Sequence, residues 1–118
     1  MATGILLYGY AKKDALCIRD YVRAMLPEAD VFASAESGDA TVSRLLSEPT
    51  FTGFRTQDLP LLMFVNVSRP QINALMSRFP AAIKRPMFCM LTAHNRSWTL
   101  NTLLSHLREE HNRFSQQA

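Results

Sequence analysis

The residues best suited to bind a ligand lie in three short segments, each of which follows an apolar run. The segments are 9–12, 66–69 and 92–96. The second and third lead toward helix-like sequence, and the free backbone N–H groups at the start of a helix favour an anion. Arginine adds a planar pair of donors that suits phosphate or carboxylate. The candidate ligand-binding residues are Tyr10, Asn66, Ser68, Arg69, Thr92, His94, Asn95 and Arg96.

Several of these residues also have a structural interpretation. Ser68 and Gln71 have the spacing of a capping box, in which each side chain binds the other residue's backbone. Asn95 suits a turn because asparagine tolerates unusual backbone angles. Trp98 follows closely, and its large apolar ring favours a role as a packing anchor.

The sequence gives little support for catalysis. Gly9 has no neighbouring glycine, so neither a dinucleotide-binding fingerprint nor a P-loop can form, and no GxSxG or HExxH motif occurs. His106 and His111 are five positions apart, which places them about 140° round a helix, too far for a shared metal ion. We predict no metal and no cofactor. A small enzyme that uses His94 or Tyr10 stays an alternative.

The charge of the chain is mildly basic and evenly spread. Thirteen basic residues against ten acidic ones give a formal net charge of +3. Nucleic-acid binding proteins concentrate basic residues in a stripe with aromatic residues between them, and this sequence shows no such stripe. No run approaches the ~20 apolar residues of a membrane span, and the first residues lack the basic region of a signal peptide. We therefore expect a cytoplasmic protein that binds neither nucleic acid nor membrane.

The two cysteines lie far apart in the sequence and have no metal-binding spacing. Cys17 falls in a predicted helix and Cys89 in a predicted strand. We expect both thiols to be buried and to act as small apolar fillers.

Apolar periodicity divides the chain into alternating strands and helices. Strands are predicted at 5–8, 31–35, 61–65 and 87–91. Helices are predicted from about 13 to 26, from an N-cap at Asp39 to position 46, from 68 to 79, and from about 97 onward. Between the second helix and the third strand, an exposed loop is predicted, with Phe51 and Phe54 packed back onto the domain.

This alternation predicts one α/β domain that spans residues 1–118. The favoured architecture is a small, mostly parallel four-stranded sheet with helices on both faces, whose three ligand-binding segments meet at one edge. The alternative is a ferredoxin-like βαββαβ sheet with an added C-terminal helix, which would place the Tyr10 turn at the opposite end. No internal repeat of useful strength is evident in the sequence.

The last third of the chain resembles a known family. Thr92, Asn95 and Trp98 form the pattern Thr-x-x-Asn-x-x-Trp, and a leucine-rich helix with Leu104 and Glu110 follows. This pattern is similar to the closing segment of a family of short bacterial and archaeal proteins catalogued as a domain of unknown function. The resemblance implies an α/β domain and draws attention to the 92–98 turn, but it implies no reaction.

These observations favour a non-catalytic binding or regulatory domain. Its partner would be a small anionic ligand or a protein, bound at the 66–69 and 92–96 turns. A self-associating module, or homo-oligomer, is a second possibility, because six methionines and a leucine-rich final helix can form an adaptable apolar surface.

Overall fold

The structure of the chain, a computed structural model, describes residues 3–34, 40–47, 51 and 54–117. Four strands alternate with four helices. The bounds are β1 Gly4–Tyr8, α1 Lys12–Met25, β2 Asp30–Ser34, α2 Val42–Ser47, β3 Leu61–Val65, α3 Arg69–Ser77, β4 Met87–Met90 and α4 Leu100–Gln117. The order of elements agrees with the prediction from apolar periodicity. The predicted N-cap Asp39 lies outside the described residues, and none of the described helices is long and apolar enough to cross a membrane.

The four strands form one sheet in the order β2-β1-β3-β4. β1 is parallel to β2 and β3 is parallel to β4, whereas the central pair, β1 and β3, is antiparallel. The prediction of a small, mostly parallel α/β sheet is confirmed. The ferredoxin-like alternative is wrong, because that fold separates the two strands of each crossover by an inserted strand, and here β1 contacts β2 directly.

Helices cover both faces of the sheet. On one face, α1 and α3 pack against the strands through residues such as Ile18 and Leu75. On the other face, α2 and α4 pack through Leu45 and Leu103. Because both faces are covered, the central strand β3 is buried along its whole length, which explains its unbroken apolar sequence.

The fold consists of two similar half-units related by an approximate two-fold axis. The first half-unit runs from β1 to α2, and the second from β3 to α4. Leu6 and Met63, the middle residues of β1 and β3, face each other across the axis. Positions 57 apart correspond: Gly4 pairs with Asp30 as Leu61 pairs with Met87. The fold therefore contains a structural repeat, although no internal repeat of useful strength is evident in the sequence.

The correspondence extends to turns and hydrogen bonds. Gly9 and Asn66, which follow β1 and β3, have positive φ angles of 91° and 54°. An isolated antiparallel bridge joins the equivalent residues Thr41 and Thr99 of the two half-units. The Val42 backbone N–H donates to the Trp98 carbonyl at 2.9 Å. The equivalent Leu100 N–H donates to the Ala40 carbonyl, also at 2.9 Å; these equivalent positions are 58 apart, because the second half-unit is one residue longer before its last helix.

Equivalent positions of the two half-units share almost no residue identities. The helix caps at equivalent positions are Ala11 and Ser68, and the buried residues just before them are Tyr10 and Val67. What repeats is the pattern of burial and backbone conformation, which many residue types satisfy.

Candidate functional site

The structure brings two of the three predicted ligand-binding segments to one end of the sheet. Parallel strands end at the same edge, so the 66–69 turn after β3 and the 92–96 turn after β4 lie at one end. Tyr10 follows β1, which is antiparallel to β3, and lies at the opposite end. The predicted meeting of all three segments is wrong for this reason.

Tyr10 has a structural environment. Its side chain is buried, and its hydroxyl donates a hydrogen bond to the Lys84 carbonyl at 2.6 Å. Burial, and secondarily the negative charge of Asp14, raises the pKa of Tyr10 above its ordinary value. The hydroxyl therefore stays protonated at neutral pH and serves as a donor that ties the start of α1 to the loop before β4.

Thr92 and Asn95 fold the turn after β4 through reciprocal hydrogen bonds. The Thr92 backbone N–H donates to Asn95 Oδ1 at 2.9 Å, and the Asn95 N–H donates to Thr92 Oγ1 at 3.0 Å. Asn95 Nδ2 also donates to the Met90 carbonyl at 3.0 Å. Asn95 is buried. The side chains of Thr92 and Asn95 therefore hold the end of β4 in place.

Trp98 completes this arrangement. Its backbone N–H donates to the Asn95 carbonyl at 3.1 Å, and its ring contacts two histidines. The His106 ring stacks on it with centroids 4.6 Å apart, and the exposed His94 ring meets it edge-on at 5.3 Å. The pattern Thr-x-x-Asn-x-x-Trp thus describes one structural turn and its packing anchor.

The helix starts near these turns already have protein partners. The 92–96 turn does not lead directly into a helix as predicted, because α4 begins at Leu100 and Thr99 caps it. The first N–H groups of α2 and α4 donate across the two-fold axis to carbonyls, including that of Arg96. At α3, Ser68 and Gln71 form the predicted capping box.

The remaining predicted residues project from this end of the sheet. Asn66 is exposed, and its carbonyl accepts a hydrogen bond from Thr3 Oγ1 at 3.1 Å. Arg69 and Arg96 are also exposed. No acidic partner of either arginine is present in the parts of the chain that the structure describes. The two guanidinium groups supply positive charge, but few backbone donors are left beside them to form an anion site.

A groove that the sequence did not indicate runs along β4. It consists of two cavities of about 460 and 340 Å³ that share Met76, Phe88, Leu107 and Glu110. We call this feature the edge groove. One end is closed by Thr92 and Asn95, and the other lies at Arg85 and Pro86. The cavity nearer Asn95 is further lined by Phe64, Ile72, Cys89, Met90, Trp98, Leu103 and His106.

The edge groove follows a strand with one unpaired side. Within the described ranges, no strand lies beyond β4. The Met87 and Leu91 N–H groups donate to carbonyls on the β3 side, so the alternate residues Phe88 and Met90 direct their backbone groups outward. The Met90 carbonyl already accepts a hydrogen bond from Asn95 Nδ2. We call the Phe88 N–H and C=O together with the Met90 N–H the β4 edge.

Met90 is the large hydrophobic residue that stands out at this edge. Its side chain is 48% exposed. Exposed apolar side chains beside unpaired strand groups are typical of sites where another chain can add a strand.

Cys89 faces the α4 side of the edge groove, and burial followed by the negative charge of Glu110 raises its pKa to about 12. The thiol is protonated at neutral pH and is a poor nucleophile. Cys17 is exposed, so the expectation that both thiols are buried is wrong for Cys17. The described residues contain no cluster of three or more His, Cys, Asp or Glu that could hold a metal ion.

Residues 60–114 match the model of one protein family, whose description is "Domain of unknown function (DUF3783)". The match begins just before β3 and includes most of α4, so it corresponds to the second half-unit of the fold. The predicted resemblance to a domain of unknown function is confirmed by this match. Comparisons with curated proteins and with solved structures gave no match.

Proposed function

We propose that this chain is a non-catalytic binding domain whose ligand is an extended segment of a partner protein, added alongside β4. The main support for the proposal is the β4 edge. Its outward-facing backbone groups lie beside an apolar groove and the exposed side chain of Met90. Main-chain hydrogen bonds provide affinity in strand addition, and pockets for alternate side chains provide specificity.

A protein segment fits this end of the sheet better than a small anion does. The helix N-terminal donors that would hold an anion are engaged by the Thr41 and Thr99 caps and by carbonyls across the two-fold axis. The groove wall is mainly apolar and aromatic, with Glu110 as its acidic residue. Such a wall favours apolar side chains and disfavours a second negative charge.

The side chains near the groove give catalysis little support. Cys89 and Tyr10 hold their protons at neutral pH, and the Tyr10 hydroxyl is bonded to the Lys84 carbonyl in the loop before β4. His94 packs on Trp98 at the rim.

The proposal can be tested with a library of random peptides displayed on phage and selected on the immobilised chain. Met90→Pro removes the outward N–H group, whereas the matched control Met90→Ala keeps it. We expect selected peptides to bind the wild type and Met90→Ala and to lose binding to Met90→Pro, with both variants folded by circular dichroism. Failure to select any peptide, or equal binding to folded Met90→Pro, would contradict the proposal.

Self-association is a second candidate function, favoured by the exposure of Met90. Two copies related by a two-fold axis would pair their β4 strands antiparallel and bury both Met90 side chains. Sedimentation equilibrium decides between the two functions: a dimer that Met90→Pro disrupts supports self-association, and a monomer at high micromolar concentration excludes it.

A further inference from the structure

We propose that the partner segment runs parallel to β4 and places an aromatic side chain opposite Met90, against Met76 of α3. This inference rests on the proposed function and specifies its ligand. It comes from the two-fold repeat, which supplies an internal example of what binds to such an edge.

Ala33 and Met90 are equivalent positions. Ala33 is the fourth residue of β2 and Met90 the fourth of β4, and they are 57 positions apart, like the other equivalent strand positions. Both residues direct their backbone groups away from the inner neighbouring strand. At Ala33, the chain supplies its own partner, because Phe51 forms a parallel bridge there. At Met90, no described residue forms a bridge.

The side chain of Phe51 shows what the edge accepts. Its ring is half-buried against the cluster on the α1 face. The Arg19 guanidinium carbon lies 4.6 Å from the ring centroid, and the Phe54 ring is 5.2 Å away. Residues paired across two strands point to the same face of the sheet, so a residue opposite Met90 points to the α3 face.

Met76 occupies the position on α3 that corresponds to Arg19 on α1. The two residues are 57 positions apart, each in the second turn of its helix, and Met76 lines both cavities of the edge groove. A thioether makes favourable contacts with an aromatic ring, as a guanidinium does. The groove therefore contains a site for an aromatic side chain.

The opposite wall of the groove favours a positive charge on the neighbouring residue. Successive residues of a strand point to opposite faces, so the residues next to the aromatic one point to α4. Glu110 lines that wall in both cavities. We infer that the partner segment carries lysine or arginine beside its aromatic residue.

The parallel direction separates this ligand from a second copy of the chain. A two-fold axis between two β4 strands makes them antiparallel, whereas the bridge between Ala33 and Phe51 is parallel. The inferred occupant is therefore not a second β4 strand, and we assign the site to a segment of a different protein.

A synthetic peptide with the sequence of residues 48–56, which includes Phe51, is the probe for this inference. It is added to the isotope-labelled full chain, and backbone amide shifts are followed by NMR. We expect shifts at Phe88 and Met90 with a dissociation constant on the order of 1 mM, and binding at least about tenfold weaker when the peptide carries Phe51→Ser. A spin label at the peptide N-terminus should broaden signals near Arg85, and a C-terminal label signals near Asn95.

Two variants of the chain test the pocket. Met76→Arg introduces the residue type found at the equivalent position, Arg19, and this variant should bind the peptide at least as tightly as the wild type. Met76→Asp should bind it more weakly. A peptide with Thr52→Lys should gain affinity with the wild type, and Glu110→Gln should remove that gain.

Several outcomes would overturn the inference. Reversed spin-label effects would show an antiparallel segment, and shifts at Val31 and Ala33 would show exchange at the β2 edge. Shifts at Met90 on concentrating the chain alone would assign the edge to a second copy. If library-selected peptides bind β4 without an aromatic residue or in the antiparallel direction, the inference fails and the proposed function stands. If no peptide binds this edge, both fail.

Discussion

Ala33 and Met90 occupy equivalent positions at the two outer edges of the sheet, yet their surroundings differ. Phe51 forms a parallel bridge with Ala33, which is 2% exposed, whereas Met90 is 48% exposed. The chain thus covers the β2 edge with its own Phe51, whereas none of the residues that the structure describes pairs with the β4 edge. The two half-units are otherwise similar, so this difference singles out β4 as the strand available to a partner.

Asn95 should be important for stability. Its buried side chain takes part in two hydrogen bonds that close the turn after β4, and its backbone N–H donates a third to Thr92 Oγ1. Asn95→Ala leaves the Thr92 N–H and the Met90 carbonyl without these partners, so we expect a loss of about 1–3 kcal/mol in the free energy of unfolding. Denaturant unfolding measures it, with Ser97→Ala at the exposed neighbour as the control. A loss below about 0.5 kcal/mol, the range of ordinary surface substitutions, would contradict this interpretation.

The two-fold repeat predicts that two equivalent threonine substitutions lower the free energy of unfolding by similar amounts. Thr41 Oγ1 accepts from the Arg44 N–H, and Thr99 Oγ1 accepts from the Thr102 N–H, each at 3.2 Å. Thr41→Ala and Thr99→Ala should each lower the free energy of unfolding by about 1 kcal/mol. Thr41→Ser and Thr99→Ser, which keep the hydroxyl, are the controls. Costs that differ by more than about 1 kcal/mol would show that the caps are not equivalent.

Alkaline pH should weaken the fold partly through Cys89. Its pKa is raised to about 12 in the folded chain, from an ordinary value near 9. Between these values the folded thiol keeps its proton while the unfolded thiol loses it, so the free energy of unfolding falls as pH rises through this interval. Burial also raises the pKa of Tyr10, so the loss of its proton at high pH likewise lowers the free energy of unfolding.

Unfolding followed from pH 8 upward checks this, and Cys89→Ala should show a shallower decline than the wild type. The thiols provide a second measurement: the exposed Cys17 should be alkylated much faster than Cys89 at pH 8. Glu110→Gln should speed alkylation of Cys89, because the nearby negative charge is removed. Equal rates at the two cysteines would contradict the proposed environment.

Small anions should have little effect on stability. We expect nucleotides, phosphorylated metabolites and dicarboxylates to leave the melting temperature unchanged, because the helix-start donors near Arg96 are already engaged. A ligand at about 100 times its dissociation constant would instead stabilise the fold by about 2.7 kcal/mol, or several degrees. A shift of that size, lost in Arg96→Ala, would restore the anion site as the better function.

The sequence predicted the elements well because their signals are local. The run 61–65, with no polar residue, indicated a strand covered on both faces, and the spacing of Ser68 and Gln71 indicated the start of α3. The start of α4 was misplaced at Ser97, since leucine periodicity does not show that Asn95 and Trp98 form a separate turn first.

The arrangement of the strands could not be predicted with the same security. The segment between β2 and β3 is compatible with either direction of β3. That direction decides whether Tyr10 and the 66–69 turn lie at the same end of the sheet. Whether β4 is an edge or an internal strand also depends on the tertiary fold. Met90 belongs to an apolar run that suits both positions, so neither its exposure nor the edge groove was visible in the sequence.

Hydrogen exchange at the individual amides of β4, in the chain alone and with a library-selected peptide, tests directly whether the β4 edge is the binding site. In the free chain, we predict slow exchange at Cys89 and Leu91, which donate toward β3, and fast exchange at Phe88 and Met90. The peptide should slow Phe88 and Met90 and leave the other two unchanged. Slow exchange at Phe88 and Met90 in the free monomer, or no change at them when a peptide binds, would contradict the claim that the β4 edge is the binding site.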